Sequence, residues 1–426
     1  MDNKLLKQIN EGKFDNALER ALGQYNNGGY CGGVVKSKNI AMHSGNVEAY
    51  DVATINSAYV LFSSICFDGR YIYYCPLEFA VSSQPSYFLR YDTTGSFTSS
   101  GSWSSIELTN GGSTPTYFGY RGISFDGRYI YLVQDHSTLN GPMLRYDTQA
   151  TFTHANLEAY TIPGNAGWST ACFDGQYVYY LPTKNISGTY HGTIVRYDTT
   201  GSFTSAGSWT SFDLTTINAA YTGFWSCALD GKYIYMIGNV NGSGRHGNMI
   251  KYDTSLSFTS AGSYEVIDIS GINSNWKGFN GAAACNGSLY LCPWSNDAGR
   301  HGNLVKCDFS KDFESNGAWS SINVASLDAG YVGFSGLSGI GSNIYLIPNS
   351  NTTAPFGDVL ELDTTKSFET SNVQEFDLAG ISVNYKGYYG SCFDGQWMYL
   401  CPYQNATSTP HGNMIRIRLT PYNRSI

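Results

Sequence analysis

Four histidines occupy the same short context, each followed by glycine and each closing a long polar segment: His191, His246, His301 and His411. Imidazole can donate, accept, titrate near neutrality or ligate a metal. A shared metal is excluded if the contexts repeat around a ring. Equivalent positions in adjacent units would then lie on the order of 10–15 Å apart, against metal–ligand bonds of ~2 Å. Two readings stay open: each histidine holds its own loop by hydrogen bonds, or each unit offers one copy of a shallow sugar pocket. A second set of rings, Tyr59, Tyr117, Tyr221, Trp276, Tyr331 and Tyr385, lies in the segments between units, with Asn165 as the exception. Aromatic faces beside Asn, Ser and His suit stacking on sugars. The alternative for these rings is packing between units.

Catalytic patterns are scarce. No Gly-x-Ser-x-Gly elbow, HExxH or phosphate-cradling loop occurs. The recurring Asp-Gly pairs read as turns, because identical active sites in every unit make no chemical sense. The sialidase Asp-box is absent, since Asp126-Gly127 lacks its spacer and trailing Thr-Trp. No CxxC pair occurs among the ten cysteines, which argues against a zinc or redox centre. The expectation is a non-enzymatic protein with no cofactor and no metal. An enzyme built from residues of several units stays open, because a fold alone does not fix function.

Positioning these residues requires the repeat. The phrase CFDGRYIYYCP at Cys66–Pro76 returns from Ser124, Cys172, Ala228, Cys285, Ser338 and Cys392. A tyrosine falls in one slot each time: Tyr73, Tyr131, Tyr179, Tyr235, Tyr290, Tyr345 and Tyr399. Eleven residues earlier stands an anchor aromatic: Phe62, Tyr120, Trp168, Phe224, Phe279, Phe334 or Tyr388. RYDTTGSF-type and SWTSFDL-type segments follow, so one unit reads as four short alternating runs. Asp-Gly between the first two predicts a type I′ hairpin turn, with positive φ at both central residues. Seven such units predict an all-β, seven-bladed β-propeller of four-stranded antiparallel blades. The last unit lacks its fourth run, and Val47–Phe62 matches Trp209–Phe224. The N-terminal strand is therefore expected to complete the last blade and close the ring.

The cysteines fit this frame. Cys66, Cys172 and Cys392 share a slot with Ser124, Ala228, Ala283 and Ser338, where converging innermost strands admit only small side chains. Cys75, Cys292 and Cys401 share a core slot with Val133, Leu181, Ile237 and Ile347.

The slot just after the anchor is the informative one: Ser63, Arg121, Ser169, Trp225, Asn280, Ser335 and Tyr389. Its neighbours are regular, yet its chemistry changes from unit to unit, as suits a position facing open space. It is predicted to look into the channel mouth, making Arg121, Trp225, Asn280 and Tyr389 an asymmetric candidate site, with Lys277 and Lys386 nearby. The loops between second and third runs, such as GNVNGSGRHGN and PWSNDAGRHGN, are long and irregular and share that face. Binding concentrates in such loops.

The units resemble the FDGRYxYxxP…RYDTxxSF repeats of uncharacterised bacterial and phage propeller proteins over residues 47 to 419. They are similar in layout to kelch and WD propellers but lack the kelch Gly-Gly doublet and the Trp-Asp ending. The resemblance implies an architecture, not an activity.

Composition narrows the partners. Only 14% of residues are charged while 15% are aromatic, with 34 Tyr and 48 Gly, which is strand-and-turn material rather than a helical bundle. A net charge of −8 without a basic run disfavours nucleic acid, and no long apolar stretch spans a membrane. The opening MDNKLLKQINEGKFDNALERALGQ shows no export signal. Residues 1–45 are expected to form a helical or extended arm, packed on the ring or docked in a larger particle, ahead of a propeller over 46–426. The overall expectation is a binding propeller of a virion or phage surface, recognising a glycan or another receptor. A cytoplasmic protein–protein scaffold is the alternative.

Overall fold

The computed structural model describes residues 40–41, 46–77, 86–108, 117, 119–135, 141–164, 167–185 and 187–421. The arm expected over 1–45 lies outside these except for Ile40–Ala41, which pairs with Thr420–Pro421. Seven four-stranded antiparallel sheets form the blades: blade 1 (62–107), blade 2 (120–160), blade 3 (168–213), blade 4 (224–268), blade 5 (279–323), blade 6 (334–377) and blade 7 (388–418 with 47–51). The first strands of neighbouring blades lie side by side, and blade 7 meets blade 1, so the ring is closed.

Closure follows the expected register. Val47–Asp51 pairs with Asn413–Arg418, Val47 opposite Ile417 and Asp51 opposite Asn413. Glu48 accepts from Arg416 at 2.8 Å on that ladder, so the two ends of the chain are joined by both backbone and charge.

Small residues dominate the first strands because the blades converge there. A Cβ on Gly122 would stand 2.8 Å from the Thr170 Cα, and one on Gly336 would stand 2.8 Å from the Gly390 Cα. Further out, each recurring tyrosine is buried, and four of them are tied to the Asp-Gly turn by a hydroxyl donor: Tyr73 to Asp68, Tyr131 to Asp126, Tyr179 to Asp174 and Tyr399 to Asp394, at 2.6–2.8 Å. The other oxygen of each aspartate accepts two backbone amides, as with Arg70 and Tyr71 on Asp68.

This corrects the turn geometry. Only the glycine has positive φ in the four FDG turns (Gly69, Gly127, Gly175, Gly395). The aspartate stays at negative φ and shapes the loop through its carboxylate. The doubly left-handed I′ pattern occurs at Asn286-Gly287 of blade 5, with φ of 46° and 72°.

The nine described cysteines are free and buried. Burial pushes the Cys75, Cys292 and Cys401 thiols well above their ordinary range, which keeps them protonated and unreactive.

Candidate functional site at the channel mouth

In every blade the pairing of strands one and two slips immediately after the anchor aromatic. The register breaks between Phe62 and Ser64, Tyr120 and Gly122, Trp168 and Ala171, Phe224 and Ser226, Phe279 and Ala282, Phe334 and Gly336, and Tyr388 and Ser391. In blades 1, 2, 4 and 6 the residue after the anchor is thus the extra residue of a β-bulge, and in blades 3, 5 and 7 it is one of the two unpaired residues that carry the bulge. That is the physical reason the slot tolerates Ser, Arg, Trp, Asn and Tyr. All seven of these residues line one axial cavity.

The backbone before each bulge is equally regular. The residue preceding the anchor is left-handed: Leu61, Gly119, Gly167, Gly223, Gly278, Gly333 and Gly387, with φ from 64° to 112°. Its carbonyl accepts an amide just beyond strand two, as from Asn239 to Gly223 and Tyr403 to Gly387. A Cβ at Gly223 would lie 1.8 Å from the Val240 carbonyl oxygen, so glycine is demanded by contact as well as by φ.

Arg121 organises the mouth. Its Nε donates to Asp135 at 2.7 Å, its Nη1 donates to the Tyr389 hydroxyl at 2.9 Å, and its guanidinium lies 5.1 Å from the Trp225 ring centre. Burial alone would lower its pKa, but Asp135 and Tyr389 outweigh burial and raise it. Tyr389 meets Tyr403 edge-on with centroids 5.2 Å apart. Asn280 is 6% exposed, and its side-chain Nδ2 has no hydrogen-bond partner. Ser169 and Ser335 instead donate to the Phe224 and Tyr388 carbonyls of the next blade at 2.8 Å, so two members of the ring brace it while others face the opening.

The remaining expected residues fall elsewhere. His191, His301 and His411 contact carbonyls of Gly167, Lys277 and Gly387 through Nε2 at 3.0, 2.9 and 3.3 Å. The Nδ1 atoms of all four histidines accept the amide two residues on. Each ring stands edge-on to its anchor aromatic, and Phe356 does the same in blade 6. This is the geometry of a brace. Burial lowers His246, His301 and His411 to about 4. Tyr221, Trp276 and Tyr331 are buried in clusters between blades and Tyr385 is half-buried against another, so these rings pack. Tyr117 is buried likewise and Tyr59 is half-buried, whereas Asn165 lies outside the described residues. Lys277 pairs with Asp297 at 2.9 Å outside the cavity, and Lys386 is half-buried and also does not line it.

Two positions escape sequence reasoning. The residue directly after strand two supplies partners to the mouth: Asp135, Asn239, Trp294, Asn349 and Tyr403. The residue directly before the histidine slot, Tyr190, Arg245, Arg300, Pro355 or Pro410, lies one step from a conspicuous His-Gly. Arg245 donates from Nη1 to the Asn239 Oδ1, whose Nδ2 donates to the Phe279 carbonyl at 2.6 Å. Arg300 stacks on Trp294 at 3.4 Å. The signal was available: both positions vary inside otherwise constant phrases, as the bulge slot does.

Among the described residues no three His, Cys, Asp or Glu side chains converge as a metal site, and no helix is long and apolar enough to cross a membrane. No family model and no curated protein matches the chain. Among solved structures it is similar to the extracellular domain of a protein described as a hybrid two component system, BT4673 from B. thetaiotaomicron, at 13% identity and a TM-score of 0.55. The match covers 88% of this chain and 43% of that one, and at such identity it shows the propeller fold alone.

Proposed function

We propose that the chain is a non-catalytic binding propeller that takes a glycan, or a receptor group equally rich in hydroxyls, at the channel mouth. The observation that carries the reading is the bulge ring: equivalent backbone positions bring Arg121, Trp225, Asn280 and Tyr389, with three serines, to one cavity. A repeated fold thereby acquires a single asymmetric pocket. Trp225 and Tyr389 supply ring faces for a sugar, and the Asn280 amide and Arg121 supply donors for hydroxyls. The likeness to the extracellular domain of a hybrid two component system is in keeping with a binding role. A glycan array on the full chain tests it: Trp225→Ala should abolish the signals that the unmodified chain gives, and an array blank for both defeats the reading.

The finer placement is a virion or other particle surface, with residues 1–45 as the attachment. Support comes from the resemblance to phage and bacterial repeat proteins and from a low-charge composition rich in Tyr, Ser, Thr and Asn. Removing residues 1–45 should leave a folded ring that no longer enters the particle. A ring that still assembles contradicts this placement.

A further inference from the structure

Two arginines beside the mouth have no carboxylate on their guanidinium groups, whereas several basic groups of the ring do. Arg121 has Asp135, Arg145 has Glu158, Lys251 has Glu265 and Lys277 has Asp297. The Arg245 guanidinium has the neutral Asn239 amide and, 5.9 Å away, the centre of the Trp225 ring, and Arg300 has the Trp294 face. Both are half-buried. Their stems run over the left-handed glycines of the next blade, so that a Cβ on Gly278 or Gly333 would lie 3.0 or 2.9 Å from the arginine Cδ. The guanidinium groups are thus held in place, not waving in solvent. Arg245 lies 5.9 Å from the centre of Trp225 in the axial cavity and Arg300 lines the hollow beside it; burial first, then the charge of Arg245, lowers Arg300 to about 10. Two positive charges beside one opening, in a chain of net charge −8, repel each other and favour an anion between them.

Beside Arg300 the loops of blades 5, 6 and 7 border a second, open hollow, lined also by Asn349, Pro355, Tyr403 and Gln404. Tyr403 stacks edge-on with Tyr389 of the axial cavity, which makes the two openings neighbours.

We infer that the mouth selects an acidic oligosaccharide, its carboxylate or sulfate gripped between the forked guanidinium groups of Arg245 and Arg300 and its sugar rings running along Tyr403 and Tyr389 towards Trp225. This deepens the glycan reading and rests on it. Guanidinium forks match either anion, giving two parallel hydrogen bonds each, and the planar stack on Trp294 fixes one fork before the ligand arrives.

Calorimetry on the full chain distinguishes the cases, with oligogalacturonate as the carboxylate probe, a heparin-derived oligosaccharide as the sulfate probe, a neutral malto-oligosaccharide, and inorganic sulfate. Binding by either acidic oligosaccharide, tenfold or more over the neutral one and weakening as salt rises, is the expected result. Arg245→Ala and Arg300→Ala should each lower that affinity at least tenfold, and Arg300→Lys should recover part of it; thermal melts confirm that each variant is folded. Neutral and acidic sugars binding alike, with Trp225→Ala abolishing both and the arginine variants silent, overturns this inference and leaves the glycan reading standing. Inorganic sulfate competing as strongly as the sugars overturns it too, reducing the feature to an anion site. No binding of any oligosaccharide removes the glycan reading and this inference together.

Discussion

Arg121 of blade 2 donates to the Tyr389 hydroxyl of blade 7 at 2.9 Å, a contact that passes across blade 1 and joins two sheets sharing no strand pairing. The same guanidinium is held by Asp135 and overlies Trp225 of blade 4. One side chain therefore couples three blades at the axis. Arg121→Met should cost about 3 kcal/mol, because it strips a buried carboxylate of its partner, and Tyr389→Phe about 1 kcal/mol. Urea denaturation of both single variants and the double variant should show a coupling energy above ~0.5 kcal/mol. Strict additivity would mean the contact is absent in solution.

A turn glycine, Gly231, and a glycine before an anchor, Gly223, separate two causes of destabilisation. Gly231 has φ of 51° with open space where a Cβ would go, whereas Gly223 has φ of 74° and a backbone oxygen 1.8 Å away. Gly231→Ala should cost roughly 1 kcal/mol, the ordinary left-handed penalty. Gly223→Ala should cost well over ~3 kcal/mol, since a backbone segment must move. Equal losses in a denaturation experiment would contradict the bulge geometry.

The turn aspartates are structural partners of buried tyrosines. Tyr179→Phe removes a 2.7 Å donor to Asp174 and should lower stability by about 1.5–3 kcal/mol, the usual worth of a hydrogen bond to a charged group. Adding Asp174→Ala should then cost less than it does alone. A double-mutant cycle reads the difference directly.

The buried histidines make stability depend on pH. Their folded pKa values are depressed, to about 4 for His246, His301 and His411, against an unfolded value of ~6.5. As pH falls below ~6.5 the unfolded chain takes up protons that the folded chain refuses, so stability drops between ~6.5 and ~4 and the histidine contribution is flat below that. Full protonation corresponds to roughly 3 kcal/mol per ring. His301→Phe copies Phe356 of blade 6 and should remove one share of the slope between pH 7 and pH 4.5. An unchanged slope in urea midpoints would show that His301 titrates normally.

The architecture was largely legible because a repeat displays its own constraints. Seven anchors and seven tyrosines marked the strands, and the match of Val47–Phe62 to Trp209–Phe224 located the closing strand. The bulge slot was legible for a related reason: chemistry that changes at one register, amid constancy, marks a side chain freed from packing. Its backbone cause was hidden, because no residue type announces a bulge when the preceding glycine can equally serve a turn. Arg245 and Arg300 were overlooked beside His246 and His301, since histidine draws attention as a reactive ring. Here it is buried and engaged by backbone, while the guanidinium of its neighbour rests on Asn239 in blade 4 and on Trp294 in blade 5. The Asp-Gly turns misled in a smaller way: aspartate shaped the loop through its carboxylate, not through a left-handed backbone.

The most direct test of the account is a crystal structure of the full chain soaked with an acidic oligosaccharide. Density over Trp225 and Tyr389, with an anionic group between Arg245 and Arg300, is the expected result. Sugar bound on the opposite face, near Arg70 and Phe152, or in repeated copies beside the four histidines with the axial cavity empty, would contradict it.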